Sequence, residues 1–229
     1  MTTDPAPGTK HRPLPLRLRP TSAIWLGVVA IMTVAAAQSA WTTAAAAASC
    51  LLFALGPRGY SAITTVAFPA GLSTGILVFT TAALLMGEIA GFYVTLWWWD
   101  VLLHLISSAA LSVVGMALAL MAVGNALPRI AARMLAILAL GFAMMIGALW
   151  EVMEFTLDAT LGTVTQRSGL PDTMSDIAIN FIGGLLGALA AHAHVTRAAR
   201  WPLTGMLGRF IALNPDLYPL RPHGQPVRR

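Results

Sequence analysis

The stretch that decides the fold is residues 99–123, WDVLLHLISSAALSVVGMALALMAV. Wound as a helix at 1.5 Å per residue, it outreaches the roughly 30 Å hydrocarbon core of a bilayer. Its titratable residues, Asp100 and His104, both stand near one end. Working outward, similar apolar runs occupy about 22–40, 41–56, 63–87, 131–157 and 173–195. The chain of 229 residues holds 14 Lys+Arg and 9 Asp+Glu against 57% hydrophobic residues, with a mean hydropathy of +0.75. Soluble domains are about a quarter charged, so a soluble globular fold is excluded. The expectation is an all-α polytopic transmembrane helix bundle of about six spans over residues 22–195, between a basic tail (1–21) and an Arg/Pro-rich tail (196–229). The apolar stretch from Ser22 to Gly56 is too long for one crossing, and Gln38-Ser39 ahead of Trp41 is the expected turn.

With both termini in the cytoplasm, Lys10, Arg12, Arg17, Arg19, Arg58, Arg129, Arg133, Arg197, Arg200, Arg209, Arg221, Arg228 and Arg229 all fall inside. Arg167 alone falls outside, which is the asymmetry of the positive-inside rule. That rule also accounts for the net charge of +5 and the pI near 10.3 without a nucleic-acid partner, and no phosphate loop or nucleic-acid module is recognisable. A second reading of residues 1–40 is a signal peptide, because a basic start, an apolar stretch and Ala-Gln-Ser-Ala at 37–40 fit that template. Cys50 has no partner for an intrachain disulfide. Residues 201–213 read as an interfacial segment, followed by a disordered cytoplasmic end.

The carboxylates carry the functional signal. Apart from Asp4 and Asp216 in the tails they are Glu88, Asp100, Glu151, Glu154, Asp158, Asp172 and Asp176, and the six-span topology puts all of them in the extracytoplasmic half. Asp100 and His104 share a helix face, as do Glu151, Glu154 and Asp158, and again Asp172, Asp176 and Asn180. One turn below the rim these stripes place His104, Glu154 and Asp176 roughly 6 Å deep, with Glu151 and Asn180 about a turn deeper. A carboxylate in hydrocarbon costs several kcal/mol unless paired, protonated or hydrated, so a shared pocket is the economical arrangement. No arginine is within reach of the deep acids, which leaves protons or a bound cation to neutralise them.

Each residue also has a plainer reading. Asp172 follows Pro171 at a helix start, where N-capping is its first duty. Asp100, Asp158 and Glu88 stand at helix ends that water reaches. Trp97, Trp98 and Trp99 read as an interfacial belt or the wall of a mouth. Asn180, Gly183, Gly184 and Gly187 form a small-residue packing face, and Ser107, Ser108 and Ser112 read as bonding back to their own helix carbonyls. For Glu151, Glu154, Asp176 and His104, the alternative to a functional site is a structural polar network.

The order Gly87-Glu88, Phe92-Tyr93, Trp98-Trp99-Asp100, His104, Trp150-Glu151, Glu154-Phe155, Asp158, Gln166, Gly169-Leu170, Asp172-Thr173-Met174, Asp176 and Gly183 resembles the YjdF-like family of bacterial membrane proteins over roughly residues 63–195. The resemblance implies a polytopic fold in a bacterial plasma membrane and carries no reaction with it. Asp100 to His104, Glu151 to Glu154, and Asp176 to Asn180 and Gly183 are also similar to motifs of VanZ-like proteins, which are linked to glycopeptide resistance. Glu154 stands where those proteins more typically have glutamine, so that role is not carried over.

The first functional expectation is a divalent-metal enzyme (Mg, Mn or Zn) acting on a lipid or cell-envelope substrate. Asp100, His104, Glu154 and Asp176 would be ligands, Glu151 the general base to metal-bound water, and Arg167 the group that meets an anionic headgroup. Glu88, Asp158, Asp172 and Asn180 complete the expected pocket. The alternatives are a proton- or cation-coupled transporter working through Glu151, Glu154 and His104, and a non-catalytic membrane scaffold.

Overall fold

Small and branched apolar residues in long uncharged runs leave the backbone one way to satisfy itself in lipid, which is to hydrogen-bond within helices. In the computed structural model, residues 20–123, 131–199 and 202–218 are described. Lys10, Arg12, Arg17, Arg19, Arg129, Arg200, Arg221, Arg228 and Arg229 lie outside the described residues. The elements are α1 (Pro20–Ala37), α2 (Trp41–Ile63), α3 (Ala70–Thr80) continued by a π-helical segment (Thr81–Ile89), α4 (Phe92–Thr95), α5 (Trp99–Val123), α6 (Ala132–Leu161), α7 (Leu170–Arg197) and α8 (Pro202–Leu213). Among the described residues there is no strand, and the fold is an all-helical membrane bundle.

Among the described residues, four helices are long and apolar enough to cross a bilayer: Ala70–Ile89, Trp99–Val123, Ala132–Leu161 and Leu170–Arg197. The large apolar side chains Phe53, Ile137, Leu149, Phe181 and Leu186 face outward while Ser108, Ser112, Glu151, Asp176 and Asn180 are buried. That inversion of the soluble pattern is what lipid as solvent selects. The chain turns at Gln38-Ser39 as expected, with Ser39 in the left-handed region at φ 59° and the Ala40 N–H donating to the Ala35 carbonyl at 2.8 Å.

Two boundaries differ from the sequence expectation. α2 runs through Gly56-Pro57-Arg58-Gly59 to Ile63 instead of stopping at Gly56, since the backbone groups a proline frees are tolerated inside membrane helices. The third span begins at Ala70 and not near residue 63, because Pro69 caps it from outside with ψ 136°.

Cross-helix contacts show that successive long helices alternate in direction. Arg58 near the end of α2 lies over Trp25 near the start of α1, and the Trp25 indole donates to Thr74 near the start of α3 at 3.5 Å. The Trp99 indole at the start of α5 donates to the Ala82 carbonyl in the π segment at 3.2 Å. At the end of α5, the Tyr218 hydroxyl donates to the Ala117 carbonyl at 3.0 Å. Packing divides into two cores. Val28, Ala47, Cys50, Ala54, Leu77 and Leu85 join α1, α2, α3 and the π segment, while Val113, Met116, Leu120, Leu135, Ala139, Ala188 and Leu207 join α5 through α8.

Candidate functional site

Glycines set the distances at the site. On α7, a Cβ at Gly183 would strike the Leu105 carbonyl of α5, and one at Gly187 would strike the Ala109 carbonyl. On α6, a Cβ at Gly147 would come within 2.8 Å of the Asn180 amide nitrogen. The small-residue face expected on α7 is thus a seam that brings three backbones close enough for Asp, Asn and Ser side chains to meet.

His104 is the hub. Its Nδ1 lies 3.2 Å from Asn180 Oδ1, and its Nε2 lies 3.5 Å from Asp100 Oδ1 and 3.8 Å from Asp176 Oδ2. Ser108 Oγ donates to the same Asn180 oxygen at 2.6 Å. Since that oxygen only accepts, Nδ1 carries the proton. Nε2 then faces two carboxylates, and a proton or a cation shared among the three groups would balance the arrangement. One ligand atom each from Asp100, His104 and Asp176 lies within 4.8 Å of the others. The Asp176 side chain is 5% exposed, His104 13% and Asp100 35%, so the group grades from the interior to the rim.

Glu151 is the unusual member. It is 4% exposed, and neither of its oxygens has a hydrogen-bond partner. It lies near the Thr173 hydroxyl and within electrostatic reach of His104, Asp172 and Asp100. Glu154, one turn outward, accepts from the Trp150 indole at 3.0 Å and stands apart from the three-residue group.

The remaining pocket residues build the rim. Asp158 is saturated: Oδ1 accepts from Thr163 Oγ1 (2.6 Å), Thr165 N (2.8 Å) and Thr165 Oγ1 (2.7 Å), and Oδ2 from Gln166 N (2.9 Å). Asp172 accepts from Arg167 N at 3.0 Å, and Gln166 Nε2 donates to Thr173 Oγ1 at 2.7 Å. These bonds fold the α6–α7 loop back over the helix ends. The loop leaves α6 through Gly162 (φ 66°) and enters α7 through Gly169 (φ 67°, ψ −132°), a backbone that only glycine adopts without strain. Arg167 reaches from this loop to Glu88 Oε1 at 3.3 Å and lies 5.2 Å from the centre of the Tyr93 ring. Burial, reinforced by Asp100, Glu88 and Glu154, pushes the Tyr93 phenol above its ordinary range, so it remains a hydrogen-bond donor at the mouth.

Sequence reasoning missed two features. Ser107 bonds back to the His104 carbonyl at 3.1 Å as expected, but Ser108 bonds to Asn180 and Ser112 to the Gly184 carbonyl (2.7 Å), both across to α7. Their spacing of four on the His104 stripe was the available signal. The π segment was unforeseen; it exposes the Ala82 carbonyl to Trp99, and its Gly87 leaves room for the Tyr93 ring.

No curated protein and no solved structure matches the chain. The family described as "Predicted membrane protein (DUF2238)" matches residues 20–197, from the start of α1 to the end of α7 and including every residue of the pocket. The chain therefore belongs to that membrane-protein family.

Proposed function

We propose that this DUF2238 protein, of the YjdF type, is a divalent-metal-dependent enzyme acting on a lipid or cell-envelope substrate at the acidic end of the bundle. Asp100, His104 and Asp176 are the ligands closest to one another, with Asn180 holding the imidazole so that Nε2 points at the metal position. Mg²⁺, Mn²⁺ and Zn²⁺ suit two carboxylates and one imidazole. Glu154 would join them as a further ligand, its Oε1 accepting from the Trp150 indole. Bound metal would supply an acidified water, and Glu151 would hold the proton taken from it. Tyr93 and Arg167 at the mouth would meet an anionic headgroup.

The observation that carries the proposal is the buried, unpartnered Glu151 beside a histidine whose free nitrogen faces two carboxylates. Both groups require a proton or a cation inside the bundle. The test is elemental analysis of protein purified without chelator and then dialysed against Zn²⁺, Mn²⁺ or Mg²⁺. One metal per chain is expected, lost in Asp176→Asn and retained in Glu151→Gln. Wild-type protein that stays metal-free after dialysis against all three sinks the reading. The same Glu151 supports a second reading, proton- or cation-coupled transport, in which liposomes show ion flux that vanishes in Glu151→Gln while no metal is bound.

A further inference from the structure

Between the two cores runs a crevice of about 1060 Å³, walled by Trp25 on α1, Gly71, Gly75 and Val78 on α3, and Leu102 and Ile106 on α5. Along α3 and into the π segment it extends from Gly71 to Ala82, about 16 Å of helix, which is one leaflet's share of a roughly 30 Å hydrocarbon core. Its walls are apolar apart from Thr74, whose hydroxyl accepts from the Trp25 indole, and the end away from the carboxylates, where Thr21, Ser22 and Arg58 line it. Among the described residues the ion pairs are His104 with Asp100 and Asp176, and Arg167 with Glu88, so no carboxylate neutralises Arg58. The Trp25 ring, 5.1 Å beneath the guanidinium, holds it at the mouth.

We infer that the crevice is a binding site for an anionic phospholipid of the leaflet on the Arg58 side, one acyl chain lying along Gly71 and Gly75 and the phosphate resting on Arg58 with the Thr21 and Ser22 hydroxyls. Charge identifies the occupant: an unpaired guanidinium and two hydroxyls cap a groove that is, Thr74 aside, hydrocarbon-lined, which is the complement of an anionic head on an apolar tail. The crevice is held at its width, because its two walls are tied by Trp99 to Ala82 at one end and by Asn214 to Ala67 at the other. The inference stands apart from the carboxylate site and survives if no metal binds there.

The test is lipid retention by native mass spectrometry after reconstitution into nanodiscs of phosphatidylglycerol, phosphatidylcholine or an equal mixture. Wild-type protein is expected to keep one phosphatidylglycerol in preference to phosphatidylcholine. Arg58→Ala should cut that preference about fivefold, the worth of one basic residue near an anionic surface, and Arg58→Lys should restore most of it. A Cβ at Gly75 meets nothing within 4 Å, so Gly75→Leu fills the groove without disturbing the fold and should abolish retention of both lipids. Gly141 on α6 is also open but lies outside the crevice, and Gly141→Leu should change nothing. Equal retention of both lipids by wild type, retention unchanged in Gly75→Leu with a wild-type elution profile, or equal losses in Gly75→Leu and Gly141→Leu would each overturn the assignment. So would a dimer mass that disappears in Gly75→Leu, because the groove would then hold a second copy.

Discussion

At the scale of single residues, the site depends on which groups are spoken for. Asn180 Oδ1 accepts from both His104 and Ser108, and that shared oxygen fixes the imidazole. Ser108→Ala removes one of the two bonds at a fully buried position, at a cost of about 1 kcal/mol. A melting temperature lower by about 2–4 °C is expected. Metal affinity should fall by about tenfold, the lower range for a residue that orients a ligand. A calorimetric titration beside a thermal melt separates the two effects, and an unchanged affinity would show that the imidazole holds its orientation without Ser108. Tyr93 makes a pH-dependent prediction. Its folded-state pKa is raised above the ordinary value of 10.0, so the stability it contributes is present below that pH and is lost as pH rises beyond it. Wild type should lose melting temperature between pH 9 and pH 11 more steeply than Tyr93→Phe. The acids at one end of the chain's helices were legible from spacing alone, because periods of three and four fix a face. What each acid accepts was not legible: Asp158 and Asp172 are committed to a loop whose path depends on Gly162 and Gly169, and no periodicity encodes that path.

At the scale of elements, α5 and α7 touch through glycine, and this contact sets the position of Asp176 against His104. Gly187→Ala places a methyl group against the Ala109 carbonyl, and backbone cannot rotate aside as a side chain does. Overpacking of this kind costs about 1–3 kcal/mol, and the wedge should also part Asp176 from His104 and weaken metal binding. Gly141→Ala, on an exposed and open face of α6, is the matched control and should be neutral or stabilising by about 0.5–1 kcal/mol. Equal melts for the two variants would mean that the seam does not govern the fold. The seam was readable as Gly183 to Gly187, a four-residue spacing of small side chains. The extension of α2 past Pro57 and the π-helical segment were not readable. A proline in a membrane helix gives the same local signal as a stop, and a π turn depends on a tertiary partner, here Trp99 on the Ala82 carbonyl.

At the scale of the whole molecule, two helical sub-bundles with separate cores are fastened at their ends, and a fastener from each end can be compared in strength. At the acidic end Arg167 and Glu88 form an ion pair with side chains 34% and 51% exposed, which is worth about 0–1 kcal/mol. At the far end Asn214, 5% exposed, accepts from the Ala67 N–H at 2.8 Å and donates to the Ala67 carbonyl at 2.8 Å, while Phe210 stacks on Phe68 at 5.5 Å. Residues 64–69 form no helix and have few other partners for those backbone groups. Asn214→Leu should therefore orphan a donor and an acceptor at once and cost about 2–4 kcal/mol, at 1–3 for each unsatisfied buried group. Hydrogen exchange should rise across residues 64–69 and the start of α3, with α6 and α7 remaining protected because Asn214 bonds to residue 67 and to its own helix, while Phe210 keeps its packing on the α5–α8 core. Arg167→Ala should leave exchange at residues 64–69 at the wild-type level. If Asn214→Leu instead raises exchange uniformly through α5, α6 and α7, the two sub-bundles unfold as one cooperative unit. The separation into two cores would then describe packing and not stability.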